Sequence, residues 1–316
     1  MPKNYTLSVI LPTYNCSSLI GRHIASMQHW LDLADEIIVV DSQSTDGTNE
    51  IIRQKLHHPN LKIIERSPGL YDSWNQAITA TEGKWIYIST VGDVISRQHL
   101  EKLLNAGETH KVDVVISPQR FTDEDGQPII QPAYCNPKIY EALKGRGIAI
   151  LPPSATHFYA FACGKPNSLL GSVASDLFNG DHLRARPFST EYGTHGDTAW
   201  LLKYARETRL CLLPECGSDF CLHGKHPAPS EPIIETMRRM YQTELSPEDT
   251  CDKVVSYRFL LKKTSQLWFE KKTSKKCSLI TKAAKTLTYL YYRSWLALKE
   301  EKIASQIKRQ IYFLES

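Results

Sequence analysis

The first hundred residues alternate short apolar runs with segments of helical spacing, and this alternation restricts the folds open to the chain. The predicted strands lie at 7–11, 36–40, 61–65 and 84–89, and the predicted helices lie between them at 18–31, 49–55 and 72–81. Strands that alternate with helices predict an α/β domain, in which a mostly parallel sheet carries helices on both faces. Ligands of such domains bind beyond the carboxyl ends of the strands.

Polar turn residues cluster where three of these strands end, at 13–15, 41–48 and 90–93. Tyr14 could stack on a nucleobase or be an ordinary turn tyrosine. Asp41 could accept hydrogen bonds from a base or a ribose, and Asp93 is a residue type that holds Mg²⁺ or Mn²⁺ beside a diphosphate. The cluster predicts a ligand site at this edge of the sheet.

Beyond residue 110 the alternation weakens, and a proline pair after residue 226 marks a boundary near 225–230. Further strands are predicted at 112–117 and 209–213, with a helix at 197–206. We therefore predict an α/β domain with halves at 1–110 and 111–225, followed by a basic helical extension over 226–316.

Charge is distributed unevenly along the chain. Residues 253–316 hold 15 Lys and Arg against 4 Asp and Glu, a net +11, and the rest holds 23 against 30, a net −7. Such a basic segment favours an anionic neighbour. Residues 271–310 fit either a helix lying in an anionic membrane surface or a helix packed on the first domain with a solvated basic face. No nucleic-acid-binding motif accompanies the charge, so we expect no nucleic-acid partner.

The N-terminal residues do not resemble a signal peptide, and no apolar run reaches the length of a bilayer span. The eight cysteines are scattered without a C-x-x-C pair, which predicts reduced thiols. Cys211, Cys216 and Cys221 are five residues apart, a spacing that does not match zinc fingers. We expect a cytoplasmic protein, which a basic anchor would hold at the inner face of the cell membrane.

Four segments carry a resemblance to a known family. They are 9–15 (VILPTYN), 38–48 (IVVDSQSTDGT), 69–75 (GLYDSWN) and 83–88 (GKWIYI). In order and spacing they resemble the inverting, family 2 type of glycosyltransferase with the GT-A fold, in its bacterial surface-polysaccharide branch. The resemblance implies that 1–110 binds a UDP- or GDP-linked sugar donor and that 111–225 receives a glycan or lipid-linked acceptor.

The resemblance also implies roles for individual residues. Asp93 would be the last acid of a DxD-like motif for Mg²⁺ or Mn²⁺, although Gly92 stands where the family usually has another acid. His223 would contact the donor phosphates or the metal. Residues at the three polar strand ends and on the third helix would bind the donor, with Asp41 at the edge of the base. They are Pro12, Thr13, Tyr14, Asn15, Asp41, Ser44, Asp72, Asn75 and Gly92.

Inversion at the anomeric carbon needs a carboxylate that takes the proton of the acceptor hydroxyl. In the family this acid lies in an acidic pair that opens a helix, and the matching residue is Asp197, preceded here by Gly196. Asp197 could also be a simple helix cap. Glu191 and Asp181 are the alternative bases.

Two other functions stay open on the sequence. Gly92 and Gly196 replace acids that the family usually has, so the chain could be a non-catalytic nucleotide-sugar or glycan-binding protein on the same fold. A nucleotidyltransferase on a similar sheet is disfavoured, because no Gly-rich, Arg-containing phosphate loop follows the first strand.

Overall fold

The computed structural model describes residues 5–129, 147–159 and 169–222, together with short stretches at 236, 239–240, 243–244, 302, 305–306 and 309–314. His223 and most of 271–310 lie outside these residues, so the donor-phosphate and membrane predictions made for them stay predictions.

Nine strands form one sheet in the order β12-β8-β10-β6-β9-β4-β1-β2-β3. Only β8 and β9 run against the other seven, because each pairs antiparallel with its neighbours while β1 to β4 and β6 with β10 pair in parallel. The predicted mostly parallel sheet is thus confirmed. The strands are β1 Leu7–Thr13, β2 Glu36–Asp41, β3 Leu61–Glu65, β4 Trp85–Ile88, β6 Val114–Ile116, β8 Ile148–Leu151, β9 Asp176–Asn179, β10 Leu210–Leu212 and β12 Tyr312–Leu314.

Three shorter strands form a second sheet in the order β5-β11-β7. They are β5 Val94–Ile95, β7 Gln119–Thr122 and β11 Ser218–Cys221. β5 directly follows the turn that contains Asp93, so this small sheet fixes the backbone on the far side of that turn.

Helices cover both faces of the main sheet and enclose two apolar cores. One core packs α3 and α7 against the sheet, and the other packs α1 and α4 against it. The helix α4 was not predicted; it is preceded by Ser96, whose side chain accepts a hydrogen bond from His99 N–H. The helices are α1 Ser17–Met27, α2 Thr48–Lys55, α3 Leu70–Thr79, α4 Arg97–His110, α5 Pro153–His157, α6 Gly180–Arg184 and α7 Gly196–Tyr204.

The predicted boundary at 225/226 and the helical extension stay predictions, but some described residues beyond 226 contact the α/β domain. Strand β12 pairs with β8, so the end of the chain returns to the main sheet. Met240 is fully buried in the core that contains α3 and α7. Tyr192 Oη donates to Glu244 Oε1 at 2.8 Å. Met240, Glu244 and β12 thus contact the α/β domain.

Candidate active site

Asp41 ends β2 and is fully buried, and its carboxylate organises the loop that follows. Oδ1 accepts from Thr13 Oγ1 at 2.8 Å and from Ser44 Oγ at 2.7 Å. Oδ2 accepts from Ser44 N–H at 2.8 Å and from Asn49 Nδ2 at 3.0 Å. Four donors satisfy a carboxylate. In this structure the Asp41 oxygens hold the β1 and β2 loops together, and its predicted contact with a base edge stays a prediction.

Asn15 and Ser44 form a second link between the same two loops. Asn15 N–H donates to Ser44 Oγ at 2.8 Å, and Asn15 Oδ1 accepts from Thr45 N–H at 2.9 Å. Asn15 adopts φ 44° and Gln43 φ 56°, a left-handed backbone that such a tight loop pair imposes. The side chains of Asn15 and Ser44 thus join the two loops to each other.

Tyr14 is the aromatic residue of this cluster, and its side chain is exposed to solvent. Its side chain is 57% exposed, while Thr13 is buried and Pro12 is half-buried. An exposed aromatic ring on a rigid loop suits stacking on a flat nucleobase, and such stacking contributes about 1–3 kcal/mol. The predicted base contact by Tyr14 fits this geometry.

The two polar residues predicted on α3 have different surroundings. Asp72 is half-exposed and lies 3.7 Å from Arg66 Nη2. Asn75 instead clamps the backbone of Phe188, donating from Nδ2 at 2.8 Å and accepting from Phe188 N–H at 2.9 Å. Both ends of its amide contact the protein here, and the prediction that Asn75 faces the donor stays a prediction. Asp72 remains accessible to a ligand.

Asp93 is buried behind the end of β4, with its carboxylate held by the protein. Oδ1 accepts from Cys221 N–H at 2.8 Å, and Oδ2 accepts from the hydroxyls of Thr90 and, at 3.4 Å, Ser172. Gly92 has φ 100°, a conformation that an acid would adopt only with strain. The described residues contain no group of three His, Cys, Asp or Glu that could hold a metal. Asp93 as placed does not fit the predicted role of metal ligand.

Asp93→Asn is expected to flatten the pH dependence of the free energy of unfolding. Burial raises the pKa of Asp93 from 3.8 to about 7, against the hydrogen bonds from Thr90 and Cys221. Between these values the folded state binds more protons than the unfolded state, so stability falls as the pH rises. Asparagine keeps an acceptor for Cys221 and a donor for Thr90. Urea unfolding at several pH values would measure the slope, and an equal slope in wild type and variant would contradict the assignment.

Asp197 lies at the start of α7 and is partly buried. Its Oδ1 accepts from Thr198 N–H at 2.6 Å. Burial raises the pKa of Asp197 and outweighs the opposing hydrogen bonds from Thr198 and from the Tyr71 hydroxyl. A carboxylate with a raised pKa is a stronger base than an ordinary aspartate, which is the property that proton abstraction requires.

Tyr71 occupies the space that a second acid would need. A Cβ on Gly196 would meet the Tyr71 ring at 2.4 Å and Ser189 O at 2.5 Å. Gly196 therefore permits the close packing that brings the Tyr71 hydroxyl to Asp197 and, at 3.3 Å, to the carbonyl oxygen of Thr194. The sequence analysis noted the missing acid at 196 but did not identify Tyr71 as its replacement. The Gly-Leu-Tyr-Asp element was the available signal.

The alternative bases lie in different places. Asp181 follows β9 at the amino edge of the parallel strands; its side chain is 93% exposed and pairs with Arg184 at 2.7 Å. It lies away from the cluster of strand ends and is excluded as a base on position. Glu191 is exposed and lies in the segment leading to α7.

Comparison with known proteins agrees with this architecture. Residues 8–163 match the sequence model of Glycosyl transferase family 2. Through this segment the chain belongs to that family. Similar curated proteins include poly(ribitol-phosphate) beta-N-acetylglucosaminyltransferase TarS of Staphylococcus aureus, 28% identical over 54% of this chain and 31% of TarS. The putative teichuronic acid biosynthesis glycosyltransferase TuaG of Bacillus subtilis is 26% identical over 39% of this chain and 50% of TuaG. The matches span half or less of these relatives' lengths.

Solved structures show the fold over a longer range. Residues 1–349 of Staphylococcus aureus TarS in complex with UDP-GlcNAc align with a TM-score of 0.59 and 16% identity, over 96% of this chain and 90% of that one. The complex of the same fragment with UDP aligns with a TM-score of 0.58 and 18% identity, over 98% and 93%. The family 2 chain has the GT-A fold. Among the residues that the structure describes, no helix is long and apolar enough to cross a membrane.

Proposed function

We propose that this chain is an inverting glycosyltransferase that moves a sugar from a nucleotide-diphosphate donor to a hydroxyl of a glycan or lipid-linked acceptor. The observation that carries the proposal is Asp197, a partly buried carboxylate of raised pKa that opens a helix in a family 2 chain. Its environment suits a general base better than a helix cap, because a capping carboxylate is stabilised in its charged form.

The proposed reaction is a single displacement. The Asp197 carboxylate takes the proton of the acceptor hydroxyl as the oxygen attacks the anomeric carbon. The bond between that carbon and the diphosphate breaks from the opposite face, and the nucleoside diphosphate leaves with the bonding electrons. Tyr71 orients Asp197 from the side on which Gly196 leaves room. No step is assigned to a metal, since the Asp93 carboxylate is held by Cys221 N–H and the Thr90 hydroxyl.

The donor class rests on two supports. Tyr14 presents an exposed ring beside the ends of β1 and β2, where a base can stack. The aligned TarS structures are named as complexes with UDP and with UDP-GlcNAc. The names of TarS and TuaG refer to poly(ribitol-phosphate) and teichuronic acid, so we place the acceptor in cell-surface polysaccharide synthesis.

A panel of UDP- and GDP-sugars tests the proposal. Each sugar is incubated with the full chain and a set of glycan and lipid-linked acceptors, in the presence and in the absence of Mg²⁺ or Mn²⁺. We expect one donor to give nucleoside diphosphate in step with glycosylated acceptor. Donor binding without product would instead support the non-catalytic binding protein.

A further inference from the structure

Asp176 is a buried carboxyl group that the fold does not use. It is 0% exposed, and within the described part of the chain neither Oδ1 nor Oδ2 has a hydrogen-bond partner. Buried polar groups in native proteins are nearly always paired, because an unpaired one forfeits its hydration. A carboxyl kept in this state is therefore a candidate for pairing with a ligand.

Asp176 lies at the same edge of the sheet as the other strand ends. It is the first residue of β9 and pairs with Ile116, the last residue of β6. The next residue, Leu177, pairs with Tyr87 in β4. Ser172, in the turn before β9, reaches Asp93 at 3.4 Å. Asp176 thus stands next to the end of β4, on the side away from β1.

The surroundings of Asp176 favour its neutral form. Burial raises the pKa of Asp176 well above its usual range, and the charge of Asp197 raises it further. A neutral carboxyl group offers one O–H donor and an accepting oxygen. That pair matches an alcohol, which donates one hydrogen bond and accepts others. A phosphate offers acceptors only.

The order of strands in the sheet indicates which alcohol group of a bound donor would lie near Asp176. Tyr14 and Asp41 are at the ends of β1 and β2, and β4 and then β9 follow on the other side of β1. Neighbouring strands lie about 4.8 Å apart, so β9 is about 10 Å from β1. A donor whose base rests at Tyr14 and whose ribose and diphosphate cross the end of β4 would bring its sugar to β9, beside Asp197.

Resting on the proposed transfer activity, we propose that Asp176 binds a hydroxyl of the sugar that is transferred and so helps to select the donor. The sequence analysis did not single out this residue, and no role is assigned to it above. Asp176 is 0% exposed in this structure, so the contact with the sugar requires the groups that cover the carboxyl to shift when the donor binds. The base and the ribose are left to other groups.

Binding measurements on Asp176→Leu test the inference. Isothermal titration compares UDP with UDP-sugars, and GDP with GDP-sugars, for wild type and variant. We expect affinity for the bare nucleotide to change by less than about 2-fold, and the extra affinity given by the preferred sugar to fall at least ~10-fold, as for a lost hydrogen bond to a buried partner. Asp176→Asn, which keeps a donor and an acceptor, is expected to retain most of the sugar's contribution.

A thermal melt separates this role from a structural one. Because Asp176 has no hydrogen-bond partner in the described ranges, Asp176→Leu without ligand is expected to melt at the wild-type temperature or a few degrees above it. Asp181→Asn, on the opposite edge of the sheet, is the matched carboxyl control and is expected to bind and melt like wild type.

Three results would overturn the inference. The first is a leucine variant that melts well below wild type or does not fold, and the second is an unchanged contribution of the sugar to affinity. The third is a wild type that gains no affinity from any sugar of the panel. Failure of the proposed function gives a different result, in which wild type binds the nucleotide-sugar through Asp176 and makes no product.

Discussion

Asp197→Asn is expected to lower kcat for sugar transfer by about 10²–10⁴-fold, the contribution typical of a positioned general base. The asparagine has nearly the same shape and can still accept from Thr198 N–H, so the start of α7 should keep its structure. Donor Kd is expected to stay within about 3-fold, because the proton transfer belongs to the transition state rather than to donor binding. Initial rates and titration with the donor measure the two effects.

The pH profile adds a readout that a structural role of Asp197 would not give. Because its pKa is raised, the rate should decline with falling pH at values above the ordinary aspartate range. Asp181→Asn is the matched control, since Asp181 is exposed and lies at the other edge of the sheet. Full transfer by Asp197→Asn would remove Asp197 from the mechanism.

Asp41→Ala is expected to lower the free energy of unfolding by about 3 kcal/mol, because it removes the acceptor of four hydrogen bonds at a fully buried position. Asp41→Asn should also destabilise, since its amide NH₂ would face donors on Ser44 or Asn49. Urea unfolding followed by circular dichroism gives the values.

The exposed carboxylate of Asp181 again provides the control. Its alanine variant is expected to change the free energy of unfolding by no more than ~0.5 kcal/mol, as exposed ion pairs contribute little. An Asp41→Ala variant as stable as wild type would show that the loop pair does not depend on this carboxylate.

The strands β1 to β4 could be predicted because each is an apolar run bounded by turn residues, a local signal. β8 and β9 were not predicted: they lie beyond residue 110, where the alternation weakens, and each pairs with strands far away in sequence. β9 lies between β4 and β6 in the sheet, and no local sequence pattern indicates this pairing. The return of β12 to the sheet is of the same kind.

The site shows the same division between local and long-range information. Sequence patterns located the edge of the sheet and the residue types there, including Asp41, Asp93 and Asp197. They could not show which side-chain atoms would already be hydrogen-bonded within the protein. Asp41 and Asn75 contact other parts of the protein, whereas Tyr14 is exposed and Asp176 is buried without a hydrogen-bond partner among the described residues. Only the three-dimensional contacts distinguish these cases.

The most direct test of the account is to follow an isotopically labelled sugar from a panel of UDP- and GDP-donors into an acceptor with the full-length chain. The account predicts that one donor transfers its label, with an inverted anomeric configuration, and that Asp197→Asn binds the same donor but transfers the label at least ~100-fold more slowly. Donor binding by wild type with no label in any acceptor, or equal transfer by wild type and Asp197→Asn, would contradict it.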